Sequence, residues 1–235
     1  MSSNLFSTRG RKAFASVALV AAASMSMAAC GSSSDSSSTT SSSSSSSSAK
    51  AAAPKPVASI DSLTGNSTQV TLDQGFVDAL TSLKLTPGVV GTAKLTNGAL
   101  VFPITGGNVT VFKPGQVSPY VIGQIQHEGS GLSLTAGKTK VELTNLNVDP
   151  GVSRVYGDVT VNGKVAASSA YLFQLDGRTL NPLQSGSGIA TLEGTKVEIS
   201  PVAAPLLNKT FKTDAVKAGL LVGIAKITVS TTPGD

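Results

Sequence analysis

Val155-Tyr156-Gly157-Asp158-Val159-Thr160-Val161, then Asn162-Gly163, then Lys164-Val165-Ala166-Ala167 is the stretch from which the fold can be read. Apolar and polar residues alternate on either side of the Asn-Gly pair, the period of two that gives a strand one core-facing side. Asn-Gly tolerates positive φ at both turn positions, so the chain reverses there within two residues. Two strands joined so tightly are antiparallel. The same signature repeats outward. Leu100 to Ile104, Val121 to His127, Leu132 to Thr135, Lys140 to Val148, Tyr171 to Leu175, Ile189 to Leu192, Thr195 to Ser200 and Leu220 to Val229 read as strands. They are punctuated by Gly, Asn and Pro every eight to twelve residues or so. Val141 and Leu143 keep one phase while Leu146 and Val148 keep the other, which predicts a bulge near Asn145.

Two short helices interrupt this pattern. Asp73 is placed to cap a helix in which Phe76, Ala79, Leu80 and Leu83 share one face, and this helix is expected to close one end of the domain. A second begins after Ser200, with Ser200 as cap and Pro201 at the first helical position; Pro205 keeps it short. Strands that follow one another without long helices argue against a parallel α/β sheet, and the lack of a full-length repeat argues against solenoids and propellers. The fold class expected is all-β, an antiparallel β-sandwich or flattened barrel with one or two short helices.

Composition agrees. Among 235 residues only 13% are charged and 4% aromatic, Trp is absent, and 24 Gly with 11 Pro supply many turns, which excludes coiled coils and long charged helices. Residues 57–235 form the β-rich globular domain, long enough to bury about 70% of the surface the unfolded chain exposes. The formal charge of +5 includes Arg9, Arg11 and Lys12, which lie in a segment expected to be removed, leaving 15 − 13 = +2. So weak a positive balance, with three tyrosines in all, argues against a nucleic-acid partner.

The removable segment is residues 1–29. Arg9, Arg11 and Lys12 form a positive region, Ala13 to Ala23 is a short apolar run, and Met27-Ala28-Ala29-Cys30 follows, the order of a signal peptide. Lys12 breaks the twin-arginine export pattern, so general secretion is expected. Met27-Ala28-Ala29-Cys30 resembles the lipobox of bacterial lipoproteins, with Met27 where Leu is usual. The resemblance implies that Cys30 accepts diacylglycerol, that cleavage precedes it, and that the new amino terminus is acylated. Two or three acyl chains at about 0.8 kcal/mol per buried methylene make attachment to the membrane stable. The alternative is cleavage at an Ala-x-Ala-like site that leaves an unmodified thiol. Cys30 is the only cysteine, so no intramolecular disulfide forms and packing alone stabilises the fold.

Residues 30–56 then read as the lipidated cysteine and a disordered tether. Ser occupies 14 of the 17 positions from Ser32 to Ser48, too polar for any core. A flexible chain of that length spans roughly 28 Å. The expected address is the cell membrane, lipid-anchored on the extracytoplasmic face.

The inventory for chemistry is sparse. Zinc needs several His or Cys ligands, and the mature chain holds His127 and a cysteine committed to lipid, so no metal site is expected. Ser-His-Asp catalysis would have to use His127, with no G-x-S-x-G elbow to present a serine. Glu128, Glu142, Asp149, Asp158 and Asp176 are available as paired carboxylates for glycoside hydrolysis, although each equally suits a solvated strand or turn. No phosphate loop and no G-x-G-x-x-G are found. No catalytic residue is assigned.

Several segments together carry a resemblance. Leu100-Val101-Phe102-Pro103-Ile104-Thr105-Gly106-Gly107, Gly123-Gln124-Ile125-Gln126-His127-Glu128-Gly129-Ser130-Gly131-Leu132, Val141-Glu142-Leu143-Thr144-Asn145-Leu146-Asn147-Val148-Asp149 and the stretch from Leu192-Glu193-Gly194 through Ala203-Ala204 to Phe211 look like a secreted bacterial β-domain. From Leu72 to Val229 the chain is distantly similar to the HtaA-type domains of actinobacterial haem-uptake proteins. The resemblance implies an antiparallel β-sandwich with small helices and capture of haem, with a tyrosine on the iron and a histidine in support. On this chain His127, Tyr156 and Tyr171 are the residues it would use. The departure is at Gly75-Phe76-Val77-Asp78-Ala79-Leu80, where such domains carry Trp and Tyr and this chain has neither. Tyr156 and Tyr171, on strands expected to face the core, also suit simple packing.

Two functions follow. The first is a non-catalytic envelope module, with no cofactor, that contacts a cell-wall polymer, a surface protein or a small ligand through Gly-, Asn- and Thr-rich loops. The second is a haem-binding lipoprotein. Both rest on the anchor, so native protein extracted from cells is expected in the detergent phase with acylated Cys30; recovery of unmodified protein from the aqueous phase would contradict the address.

Overall fold

The computed structural model describes residues 53–63 and 65–231. Cys30, the signal segment 1–29 and the serine tract lie outside the described residues. At the decisive hairpin, Asn162 takes φ 50° and Gly163 φ 77°, so both turn positions sit in the left-handed region as the dipeptide predicts. Asn97-Gly98 and Ser187-Gly188 repeat this geometry, with φ 51° and 73° in the first and 52° and 74° in the second.

Thirteen strands are found among the described residues: β1 (Ala58–Ile60), β2 (Ser67–Leu72), β3 (Thr86–Gly91), β4 (Lys94–Thr96), β5 (Ala99–Pro103), β6 (Gly106–Val111), β7 (Val121–Ala136), β8 (Thr139–Asp149), β9 (Arg154–Val161), β10 (Lys164–Asp176), β11 (Gln184–Gly186), β12 (Ile189–Ile199) and β13 (Leu221–Ser230). The helices are α1 (Gln74–Ser82) and α2 (Ala203–Phe211). The strands hydrogen-bond in the order β1-β6-β7-β8-β9-β10-β12-β13-β2-β5-β4, with β3 beside β7 and β11 beside β12. The all-β antiparallel class with two short helices is thus observed, as one sheet curled into a half-barrel. Beyond β5 the chain turns back onto β7, where Thr105 N–H donates to Gln126 O at 2.8 Å and Thr105 Oγ1 accepts from Glu128 N–H at 2.9 Å.

Long strands replace several predicted pairs of short ones. Val121 to His127 and Leu132 to Thr135 are both parts of β7, because Glu128-Gly129-Ser130 forms a bulge rather than a turn, with the register slipping between His127 and Gly131. Gly194, at φ 111°, likewise joins two predicted segments into β12. The bulge expected near Asn145 is present: Asn145 lies at φ 52° where the β8–β9 register shifts between Thr144 and Asn147. Pro87-Gly88, which marks a break in sequence, lies inside β3; this strand pairs only with β7, and an edge strand tolerates a missing donor.

The helices sit together. Asp73 caps α1 through Gly75 N–H at 2.9 Å, and Phe76 and Leu80 are buried. Ser200 Oγ accepts from Ala203 N–H at 2.9 Å and from Val202 N–H at 3.2 Å, capping the turn that leads into α2. Phe76 of α1 and Leu207 of α2 line the same small void with Leu132, Leu134 and Leu143, so both helices close one end of the half-barrel. β7 and β8 run from that closed end toward the opposite one.

Their contact is close. A Cβ on Gly131 would lie 2.2 Å from Leu143 O across the β7–β8 ladder, so only glycine fits. Gly131→Ala is expected to lower stability by roughly 3 kcal/mol, the upper end of overpacking costs. Gly186→Ala, whose Cβ meets open space, is the near-neutral control. Urea titration of both variants measures the difference.

Candidate ligand-binding site

The end of the half-barrel opposite the helices is hollow. Alternation places one side chain in two of each strand inside, and here these are Ala58 and Ile60 of β1, Val109 and Val111 of β6, Ile125 of β7 and Val148 of β8. Leu175, Leu192, Ile227 and Val229 from β10, β12 and β13 face them. Together they surround an apolar cavity of about 490 Å³. That volume lies within the range of small-molecule sites.

Polar groups gather where the lining residues reach solvent. The segment Ser118-Pro119-Tyr120 forms one lip, tied to β6 by Phe112 N–H donating to Tyr120 O at 2.7 Å. Opposite lies the turn Asp176-Gly177-Arg178, with Leu180 and Leu183 beyond it. Arg178 Nε donates to Asp176 Oδ1 at 2.9 Å and Nη2 to Oδ2 at 2.8 Å, a bidentate pair. The Arg178 side-chain and backbone donors hold the Asp176 carboxyl far below the usual carboxylate range. The two charges at this lip therefore compensate each other.

His127 lies at the inner limit of the cavity. A second apolar void of about 60 Å³ is lined by His127, Thr68, Phe102 and Leu146, and shares Val148, Leu175 and Ile227 with the larger one. The ring Nδ1 is 3.0 Å from Leu146 O and Nε2 is 2.7 Å from Thr68 Oγ1. A carbonyl only accepts, so Nδ1 carries the proton and Nε2 accepts from the threonine hydroxyl. Phe102 meets the ring edge-on at 6.2 Å. Burial lowers the His127 pKa to about 4, against a smaller raising effect of the Leu146 carbonyl.

The two tyrosines lie elsewhere. Val155 and Val159 of β9 are buried, which puts Tyr156 on the other, outer face, and Tyr171 is its register partner on β10. Their rings stand 6.1 Å apart, Arg154 lies 4.5 Å over the Tyr171 ring, and the Tyr171 hydroxyl donates to Gln174 Oε1. Core packing expected for these tyrosines is therefore replaced by a half-buried cluster on the outside. His127, Tyr156 and Tyr171 do not share one pocket: His127 and Tyr156 both line an open groove of about 530 Å³ with Glu128, Asn145 and Asp158, Tyr171 does not reach it, and none of the three lines the apolar cavity. Tyr120 is the tyrosine that lines the cavity.

Four of the five carboxylates named from the sequence, Glu142, Asp149, Asp158 and Asp176, have local partners. Glu142 pairs with Lys140 at 2.6 Å, Asp158 accepts from Asn145 Nδ2 and Ser169 N–H, both at 2.9 Å, and Asp149 accepts from Val152 N–H at 3.2 Å. Sequence reasoning missed β1 and β6, two of the seven strands that line the cavity. Val109-Thr110-Val111 does alternate, but the Gly106-Gly107-Asn108 run before it reads as a turn. The Asp176–Arg178 lip has no signal in sequence beyond two charges at a strand end.

No protein-family model matches the chain, and no curated protein matches it. Among solved structures, the C-terminal domain of HtaA from Corynebacterium glutamicum is similar with a TM-score of 0.51 and 13% identity, covering 72% of this chain and 98% of that domain. Heme binding protein HtaB from the same organism aligns at a TM-score of 0.47 and 9% identity, covering 74% of this chain and 96% of that one. The first likeness shows a shared fold.

His127 makes that fold sensitive to acid. Its pKa of about 4 in the folded state lies below the 6.5 of an exposed histidine, so as pH falls the unfolded chain takes up a proton first and stability is lost. The loss from pH 7 to 5 is expected to be about 2 kcal/mol. His127→Gln is expected to flatten the dependence, as read from denaturation midpoints at the two pH values.

Proposed function

We propose that this domain is a non-catalytic binding module of the bacterial envelope, held at the extracytoplasmic face of the membrane through lipid on Cys30, that takes a small apolar molecule into the open end of its half-barrel. The cavity carries this reading. An aliphatic chamber of about 490 Å³ with polar groups confined to its lips has the composition of a ligand site. A polar reactant would find few partners inside, and Glu142, Asp149, Asp158 and Asp176 are engaged in turns and surface pairs. The serine tract and the exposed Ala53-Pro54-Lys55-Pro56 segment lead to β1, which forms part of the chamber wall. An anchored module of this kind would hold its ligand near the membrane surface.

Haem is a second reading, favoured by the likeness in fold to an HtaA domain and by the sequence resemblance to HtaA-type domains of haem-uptake proteins. The residues present bear on it unevenly. Both His127 nitrogens are engaged in the core, and Tyr156 and Tyr171 face outward, so none of the three meets a haem in the chamber. Tyr120 is the lining residue of haem-ligand type, and would hold the iron while the aliphatic wall covers the macrocycle.

Two titrations test these readings. The uncharged dye Nile red is expected to bind with enhanced emission, and Ala58→Trp, which fills the chamber from an edge strand, to weaken it about tenfold, equivalent to about 1.4 kcal/mol. Unchanged binding in Ala58→Trp would remove the chamber as the site. A Soret band on haem addition that is lost in Tyr120→Phe and kept in Tyr171→Phe would support haem; no spectral change at micromolar haem would remove it.

A further inference from the structure

Resting on the reading of the half-barrel as a binding chamber, we infer that its occupant is the single aliphatic chain of a lipid with an uncharged head, which enters tail first. Three features select this class: the chemistry of the wall, the taper of the interior and the charge balance of the lips.

The wall is aliphatic. Val109, Val111, Ile125, Val148, Leu192 and Val229 are representative, and Tyr120, at the mouth, is the one aromatic side chain among the lining residues. Planar conjugated ligands gain from aromatic stacking as well as from area, and within the outer chamber Tyr120 is the one ring among the lining residues. A saturated chain needs only area and shape, which branched aliphatic side chains supply.

The interior narrows along the barrel axis. The chamber of about 490 Å³ is followed by the void of about 60 Å³ beside His127, with Val148, Leu175 and Ile227 as common wall. That void is followed by one of about 20 Å³ under α1 and α2, with Leu100, Leu132, Phe173 and Val222 in common. The two inner voids expose no polar surface. A rigid macrocycle is confined to the outer chamber, whereas the end of a methylene chain is narrow enough to follow the taper toward His127. The His127 ring does not oppose this, since burial keeps it neutral and both its nitrogens already have partners.

The lips select the head. Ser118, Tyr120 and Ser153 bring hydroxyl groups to the lining, suited to an alcohol or ester. Asp176 neutralises Arg178 through two parallel contacts, so this lip carries little net charge to favour a carboxylate or phosphate head over an uncharged one. The ligand class is accordingly a neutral single-chain lipid, of which a monoacylglycerol is the simplest probe.

The test is displacement of Nile red from the full chain carrying Cys30→Ala by saturated monoacylglycerols of increasing length, with the fatty acid of matching length and haem as competitors. Affinity is expected to rise about fourfold per methylene until the chamber is filled and then to level off. Val148→Phe, at the boundary of the two outer voids, is expected to bring that plateau to shorter chains; should it fail to fold, Leu192→Phe on β12 serves the same purpose. The inference is overturned if affinity ignores chain length, if the fatty acid or haem binds more tightly than the monoacylglycerol, or if the plateau stays in place in the folded variant. It is also overturned if the lipidated chain, unlike Cys30→Ala, takes up no added lipid, because the chamber would then hold the protein's own acyl group. Dye that binds but is not displaced by any lipid removes this inference and leaves the chamber as a binding site. Dye that does not bind at all removes both.

Discussion

The hydrogen-bonded ring of His127 fixes the geometry on which the rest of the half-barrel depends. Its Nδ1–H reaches Leu146 O on the adjacent β8, and its Nε2 accepts from Thr68 on β2, a strand far away along the sheet order. One side chain thus spans two walls of a curled sheet. A buried polar group is tolerated only when its partners are satisfied, and here both nitrogens have one. A second ring proton would place a charge among Phe102, Leu132 and Val197, and although the Thr68 hydroxyl could accept from Nε2–H, burying that charge disfavours it, so the ring stays neutral.

This bridge divides the interior. On the helix side, Phe76 and Leu207 descend from α1 and α2 onto Leu132 and Leu143, and the space left is smaller than a side chain. On the other side no α-helix among the described residues lines the chamber, and the walls stand apart around it. The two bulges beside His127 make the arrangement possible. The bulge in β7 re-aims the strand between His127 and Gly131, and the one in β8 near Asn145 reverses the phase of the inward residues from Val141 and Leu143 to Leu146 and Val148. Without that reversal Leu146 and Val148 would face water and the outer half of the barrel would have no lining.

The likeness to the HtaA domain concerns this framework, at 13% identity. Within it the present chain has distributed its few aromatic residues differently from what a haem site built on His127, Tyr156 and Tyr171 requires. The histidine is structural, two tyrosines with Arg154 form a cluster on the outer face, and the third guards the mouth of the chamber. Shared fold and divergent interior are compatible, because an antiparallel sheet constrains which positions point inward but not which residues occupy them.

Much of the framework is legible in the sequence because its causes are local. Asn162-Gly163 turns by its own dihedral preferences, Asp73 caps α1 with its own side chain, and the phase change across Asn145 announces a bulge within one strand; Ser200 caps only the turn ahead of α2, which starts at Ala203 rather than at Pro201. The same locality explains the errors. Gly129 and Gly194 read as turns because glycine permits either a turn or a bulge, and only the neighbouring strand decides which. β1 and β6 escaped notice because each is short and gains its stability from pairing, β1 with β6 and β6 with β7. The chamber was invisible for a stronger reason: its wall is assembled from seven strands that span most of the domain, and a cavity is a property of where side chains end rather than of any segment. The all-β class and the shortage of His and Cys side chains were thus determined by the sequence itself, since they depend on composition, order and near-neighbour chemistry. Which face His127 and the tyrosines occupy, and that one end of the barrel stays hollow, was decided only by the tertiary structure, because curling the sheet sets which distant residues meet.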